Sequence, residues 1–480
     1  MRTGRSGSTI AAAAPEAYLV TAICIVLLID VFAGGTKRPR LTGTVTLLAL
    51  ALGAWLTLRY GAVSVRTTAF HGLYVADPLA LLLKLGGLLF TAVSLLYSRP
   101  YLERRGMRGG EYYVLALTSL LGIYVLASAG NLLSLYVGVE LLALSLYAMV
   151  AFDRESGVAT EAAMKYFVLG SIASGMLLYG ISLIYGLTGS LALDAIAQNI
   201  GAEPGLGLIV GVVFVVAAIA FKFGAVPFHM WVPDVDHGAP PAVTPFVSTA
   251  PKFAYFALFY RLLAQGLEGL SPTWTQIIAV IAVLSLFVGN VYAIAQTNLK
   301  RMLAYSAIAN VGFILLGFTT GTTTGYQAAL YYMVVYVLMA LGSFGVILLA
   351  GRRGFEADEL DDYKGLATRD PLLAVSMLML MFSTAGVPPF VGFWAKLAIF
   401  EALWQAGSLW LVVIAALAAV VGAFYYIRVV KLMYFDEGPA QPRGDAGAAL
   451  RLVLGLNAFA ALALGVVPSV LVDFCMRALG

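Results

Sequence analysis

Five lysines stand inside apolar runs of this chain where no loop accounts for them: Lys84, Lys165, Lys222, Lys252 and Lys396. An ionisable group at membrane depth costs about 2.5–3.5 kcal/mol or more, so each one calls for a reason. All five are lysine and none is arginine, which narrows the chemistry. A desolvated lysine can release its proton near neutral pH, whereas arginine effectively cannot. Lowering a lysine from about 10.4 to about 7 takes roughly 4.6 kcal/mol, which burial can supply. The clearest acidic partner is Glu140, mid-run in "LSLYVGVELLALSLY". Such a set can relay protons. The bland alternative is a buried ion pair that only braces two helices. Against it, carboxylates at depth are scarcer than lysines, so some of the lysines must spend time neutral.

The five differ in their surroundings. Lys84 follows Asp77 by seven residues at the end of a run and could snorkel there, so structural and functional readings stand level. Lys165 follows Glu161 by four, the favourable order for a helical ion pair, near the end of its run. Lys222, Lys252 and Lys396 each stand beside proline or glycine. The stretch "FKFGAVPFHMWVPD" at 221–234 shows why this matters. The run 206–234 would make about 43 Å of helix, too long for a hydrocarbon core of about 30 Å. Gly224 and Pro227 should break it, since proline removes a backbone donor and clashes one turn back. Broken helices are tolerated where their freed groups line a polar cavity. Lys222 is then expected beside free carbonyls and water. His229, just past the break, is either a satisfied core histidine or a relay member, and its neighbour Lys222 favours the relay. His71 and His237 read as loop residues, and three scattered histidines make no metal or haem site.

These residues need helices to hold them. The chain has 480 residues, 61% hydrophobic and 11% charged, far below the charge a water-facing surface carries. Fourteen apolar runs of membrane-span length can be read, without the alternation of a transmembrane barrel. The expected class is all-α, a polytopic membrane protein of about 14 helices. Its organisation is 1–111 for three N-terminal spans, 112–265 and 274–434 for two five-helix units, and 435–480 for the last span. Cys24 and Cys475 both fall in spans and are too few for a disulfide frame or an iron–sulfur site. Eighteen Lys and Arg lie on loops joining odd to even spans, against six on the other side, which places both termini outside by the positive-inside rule. The net charge of +4 therefore reports topology and gives no sign of nucleic-acid binding.

The break recurs. "FKFGAVPF" at 221–228 is echoed by "FSTAGVPPF" at 382–390 with an offset of 161, and Lys396 follows the second copy. Five spans separate the copies, so they cross in opposite directions. That makes an inverted repeat, spans 4–8 against 9–13, with helices 7 and 12 broken. Paired broken helices are the best sequence pointer to a transport site.

With "EAAMKYFVLGSIASGMLLYGISLIYGLTGS", "FKFGAVPFHMWVPDV", "GAPPAVTPFVSTAPKFAYFALFYRLL" and "LKRMLAYSAIANVGF", the chain closely resembles the N-type antiporter-like membrane subunits of bacterial respiratory complex I, the NADH–quinone oxidoreductase. The resemblance runs from the third span onward. It implies a proton-translocating subunit of a translocase in the bacterial inner membrane, with no redox cofactor or catalytic site of its own. FMN, iron–sulfur clusters and quinone would sit on partner subunits, and the neighbours would be M-, K- and J-type membrane subunits and lipids. It further implies that Glu140 is the family's fifth-span glutamate, Lys165 a sixth-span lysine, and Lys222 the lysine of the broken seventh span. Lys252 matches the connecting lysine of the eighth and Lys396 the terminal lysine of the twelfth. Lysine at the last place argues against the M type, which has glutamate there. Two departures stand out. Asp236 and His237 replace a common Tyr-Glu pair, and Asn310 stands where many members have histidine, so a relay step there must use water or another side chain. The competing reading is a subunit of a multisubunit sodium/proton antiporter, which shares fold and lysines. A stand-alone secondary transporter would want a ligand-lined midplane, and nothing names one.

Overall fold

The computed structural model describes residues 11–32, 38–63, 65–107, 109–201, 204–352, 354–438, 444 and 447–480. The first ten residues and Lys37, Arg108, Arg353 and Arg443, on which the reading of orientation draws, lie outside the described residues.

The apolar runs fold into helices, several of which start at a polar cap. The first six are α1 (Ala14–Phe32), α2 (Arg38–Gly61), α3 (Pro78–Arg105), α4 (Gly109–Ala127), α5 (Leu132–Val150) and α6 (Gly157–Thr188). Asp77 caps α3 by accepting from the Ala80 amide at 2.8 Å, with Pro78 at the first helical position, where a missing N–H costs nothing. Asn131 caps α5 and Ser156 caps α6 in the same manner. A short antiparallel hairpin, β1 (Thr67–Ala69) and β2 (Tyr74–Ala76), lies between α2 and α3 with Thr68 opposite Val75. The hairpin is too short for any alternating pattern to announce it.

The seventh run is broken as expected, into α7 (Leu206–Phe223) and α8 (Trp231–Gly238). The eighth contains α9 (Pro251–Phe259), which continues as a π-helical turn over Tyr260–Gly266. Next come α10 (Ser271–Ala295), α11 (Leu299–Thr319) and α12 (Thr323–Ala350). The twelfth run is again broken, into α13 (Pro371–Ala385) and α14 (Val391–Gln405). The last helices are α15 (Leu409–Phe435), α16 (Ala448–Val466) and α17 (Ser469–Leu479). Among the described residues, 12 helices are long and apolar enough to cross a membrane. The eighth and twelfth of the fourteen expected runs occur in shorter pieces instead, the twelfth broken as expected.

α11 and α12 run through the centre of the fold, while α1, α15 and α16 turn most of their side chains outward. Leu417 and Phe287, each more than half exposed, mark such outward faces. α10 and α11 approach closely because a Cβ at Gly289 would fall 2.5 Å from the Ala309 backbone nitrogen. α12 packs against α3, α11, α13, α14 and α16, and so joins the two halves.

The breaks themselves correct the sequence register. α7 ends at Gly224 (φ 77°) and α13 at Gly386 (φ 88°), both in the left-handed region that glycine alone adopts without strain. These two glycines are 162 residues apart, and so are Pro227 and Pro389, each of which follows a cis peptide bond. The offset of 161 paired Phe221 with Phe382 at the expense of the glycines.

A second correction concerns arginine. Arg261, counted at a span end, is fully buried in the π-helical turn after α9. Its guanidinium donates to both Asp77 carboxylate oxygens, at 2.6 and 2.7 Å, and to the carbonyl of Ala127 at 2.9 Å. The buried cations are therefore not all lysine, and Asp77 belongs to Arg261.

Candidate functional site

Breaking a helix leaves carbonyls at the end of its first half with no intrahelical partner. At the first break Lys252, from α9, donates to the carbonyl of Phe223 at 2.9 Å. At the second, Lys396, one turn into α14, donates to the carbonyls of Thr384 and Ala385 at 2.9 and 2.8 Å. In both places a buried ammonium sits on the negative end of a half-helix dipole. Serine hydroxyls accept the freed amides: Val226 N–H donates to Ser285 Oγ and Gly392 N–H to Ser383 Oγ.

Lys222 is placed differently from the expectation. Its ammonium does not reach the broken end; it donates to Ser174 Oγ of α6 at 3.2 Å. Glu140 of α5 acts on Lys222 through its charge, yet no ion pair joins the two among the described residues. Glu140 is half-buried, and its Oε1 has no hydrogen-bond partner. A buried carboxylate oxygen in that state calls for water or a neighbouring chain. His229 is half-buried past the break, with Nδ1 unpartnered and no hydrogen bond to Lys222.

The remaining candidates separate from this line. Lys165 is an exposed member of a charge cluster, bonded to Glu161 and Asp234 at 2.9 Å each, with Arg301 on the other oxygen of Asp234 at 2.9 Å. Lys84 is buried, but its partner is Glu16 of α1 at 2.5 Å, with Tyr74 Oη at 2.9 Å. It does not snorkel, and Asp77 is taken up in capping α3 and binding Arg261. Asp236, one of the two departures, is buried, accepts from Ser248 Oγ at 2.8 Å, and lies within electrostatic range of Lys252 and Lys300.

Sequence reasoning missed the hydroxyl groups. Asn310 sits in a buried network in which its amide nitrogen donates to the carbonyl of Ser306 at 2.8 Å and to Tyr426 Oη at 3.2 Å. Its oxygen accepts from Tyr332 Oη at 2.8 Å, and Ser306 Oγ shares a hydrogen with Tyr426 Oη at 2.5 Å. Serine and tyrosine are too frequent in apolar helices for spacing to single these out. Among the described residues, no three His, Cys, Asp or Glu side chains gather as a metal site would need.

Residues 129–422, which hold both breaks and every lysine of the line, match the family described as NADH:quinone oxidoreductase/Mrp antiporter, transmembrane. NADH-quinone oxidoreductase subunit N of Thiobacillus denitrificans is 53% identical over 98% of this chain and 97% of its own length. The chain belongs to the subunit N family. Subunit N of Herminiimonas arsenicoxydans is 50% identical, with 97% of each chain covered. Among solved structures, a chain of respiratory complex I from Thermus thermophilus matches with a TM-score of 0.81 and 31% identity, over 96% of this chain and 98% of that one. A chain of the Mrp complex from Dietzia sp. reaches a TM-score of 0.86 at 23% identity, over 98% and 97%, which shows a shared fold. The subunit is a multi-pass membrane protein of a multi-subunit complex.

Proposed function

We propose that this subunit moves protons across the membrane arm of a proton-pumping NADH-quinone oxidoreductase along the line Glu140, Lys222, Lys252 and Lys396. It is a subunit of an enzyme complex and a member of a proton-translocating family. The observation that carries the residue assignment is the pair of broken helices, each with a buried lysine on freed carbonyls and, among the described residues, no carboxylate in ion-pair contact. Held by carbonyl dipoles, Lys396 can lose its proton without stranding a buried carboxylate, so both of its protonation states are accessible. Glu140 biases Lys222 by its charge, and Asp236 does the same for Lys252. Lys165, with Glu161 and Asp234, gathers charge at one end of α6, and His229 supplies a further proton acceptor beside the first break.

In this reading electrons never enter the chain. FMN, iron–sulfur clusters and quinone belong to partner subunits, and M-, K- and J-type subunits and lipids cover its flanks. The excess of basic residues on odd-to-even loops puts both termini on the periplasmic side of a bacterial inner membrane. The sodium/proton antiporter reading is weaker, because the likeness to the Mrp complex carries less identity than the subunit N relatives. Co-purification with flavin and iron–sulfur subunits separates the two.

The direct test replaces Glu140 or Lys222 with alanine in the whole complex. Quinone reduction and proton pumping in reconstituted vesicles should both fall, with assembly largely intact. Unchanged pumping by assembled Glu140→Ala complex would sink the role of Glu140.

A further inference from the structure

An ammonium has three hydrogens to donate, and the carbonyls of Thr384 and Ala385 take two of those on Lys396. Among the described residues no further oxygen accepts from it. What stands beside it instead is a ring: the Lys396 nitrogen lies 5.4 Å from the ring centre of Phe313, on α11. On another flank it lies against Gly386, where a Cβ would fall 2.9 Å from Lys396 Cδ and 3.2 Å from Nζ. The glycine that ends α13 therefore also leaves room for the ammonium. Lys396 and Phe313 are both buried. A cation within about 6 Å of an aromatic face is attracted by the ring's negative quadrupole, and more strongly where water is excluded.

The ring is held in place from behind. Phe313 stacks on Tyr332 of α12, with ring centres 5.4 Å apart and planes within 18°. The Tyr332 hydroxyl donates to Asn310 Oδ1 at 2.8 Å. Asn310 can point only one way. Its amide nitrogen donates at 2.8 Å to the carbonyl of Ser306, which can accept but never donate, and at 3.2 Å to Tyr426 Oη. The amide oxygen is thereby turned to Tyr332. Asn310, Tyr332 and Phe313 are each 3% exposed or less, so no water competes for these contacts from outside. Asn310 carries no proton, and this arrangement gives it a task that needs none.

We propose that the face of Phe313 is a binding surface for the Lys396 ammonium, and that Asn310 and Tyr332 are positioning residues that aim it. The assignment rests on the relay reading of Lys396 above. A carboxylate in contact would hold the cation in one state. A ring has no net charge, and a neutral amine can also rest an N–H on it. Phe313 thus favours the ammonium without locking it, and itself gives and takes no proton.

The decisive variant keeps the shape of the ring and drains its face. Phenylalanine carrying one, two or three fluorines is placed at position 313 by stop-codon suppression, and proton pumping is measured per assembled complex in vesicles. Each fluorine weakens the negative face, so pumping should fall stepwise, by about three- to tenfold over the series. A packing role would leave the series flat, and a flat series overturns the assignment. Tyr332→Phe frees the stack from Asn310 and should cost less, about twofold. Combined with the trifluorinated ring it should cost nothing further, because Tyr332 acts through that ring. Losses that add instead would overturn the positioning role. Lys396→Ala is measured alongside. Loss of pumping there with a flat fluorine series overturns this assignment and leaves the relay standing; normal pumping in Lys396→Ala overturns the relay itself.

Discussion

Two buried cations, Arg261 and Lys396, answer the same electrostatic problem in opposite ways. Arg261 joins the end of the eighth run to the start of α3 and the end of α4, with its donors spent on both oxygens of Asp77, the Ala127 carbonyl and Gln265. A bidentate pair of this kind fixes charge and geometry together. Lys396 has carbonyls of Thr384 and Ala385 instead, at the frayed end of α13. A brace needs a full counter-charge so that it never changes state. A relay needs a partner that is content with both states, and carbonyls at a helix end are that. Burial alone therefore does not mark a functional cation, but the type of oxygen facing it does.

The sharpest way to test this contrast is to cut the brace. Asp77→Ala leaves the Arg261 charge buried and uncompensated, which should cost about 3–5 kcal/mol. The expected outcome is a large loss of assembled complex, read on native gels, with little folded subunit left on which to measure pumping. Normal assembly would show that Arg261 finds other partners and that the clamp is not structural.

The next largest effect separates charge from proton. Lys222→Arg should be almost as damaging to pumping as Lys222→Ala, about tenfold or more, with assembly preserved. Arginine would satisfy a brace with Glu140, but it stays protonated at any plausible burial. Near-normal pumping by Lys222→Arg would mean that only the charge matters at this residue.

The apolar runs, both helix breaks and the lysines were legible because each is a local statement about one segment. Pro227 and Gly224 declare a break whatever packs around them, and Glu161 and Lys165 pair because four residues span one helical turn. The partners across the fold were not legible. Glu16 meets Lys84 across 68 residues and Asp77 meets Arg261 across 184, and the rotation of each helix decides such meetings. For the same reason the carbonyl of Phe223 went to Lys252 of another helix, although Lys222 is its neighbour in sequence. The offset of 161 failed more simply. Matching phenylalanines outvoted a glycine whose left-handed conformation is what defines the end of the half-helix.

Lys84 gives the smallest expected effect and the finest version of the comparison, since it is a lysine placed as Arg261 is. Its ammonium bonds Glu16 and Tyr74 and lies 4.9 and 5.4 Å from the ring centres of Tyr74 and Tyr124. A full counter-charge and two aromatic faces favour the cation permanently, and arginine serves both kinds of contact. Lys84→Arg should therefore pump within about twofold of normal per assembled complex, a change of about 0.4 kcal/mol in barrier. Assembly should drop modestly, because the larger guanidinium must be fitted into a packed site at about 1–3 kcal/mol. Measuring pumping per assembled complex keeps the two effects apart. If Lys84→Arg instead stopped pumping as fully as Lys222→Arg, Lys84 would have to release its proton despite Glu16. The type of facing oxygen would then no longer distinguish a brace from a relay.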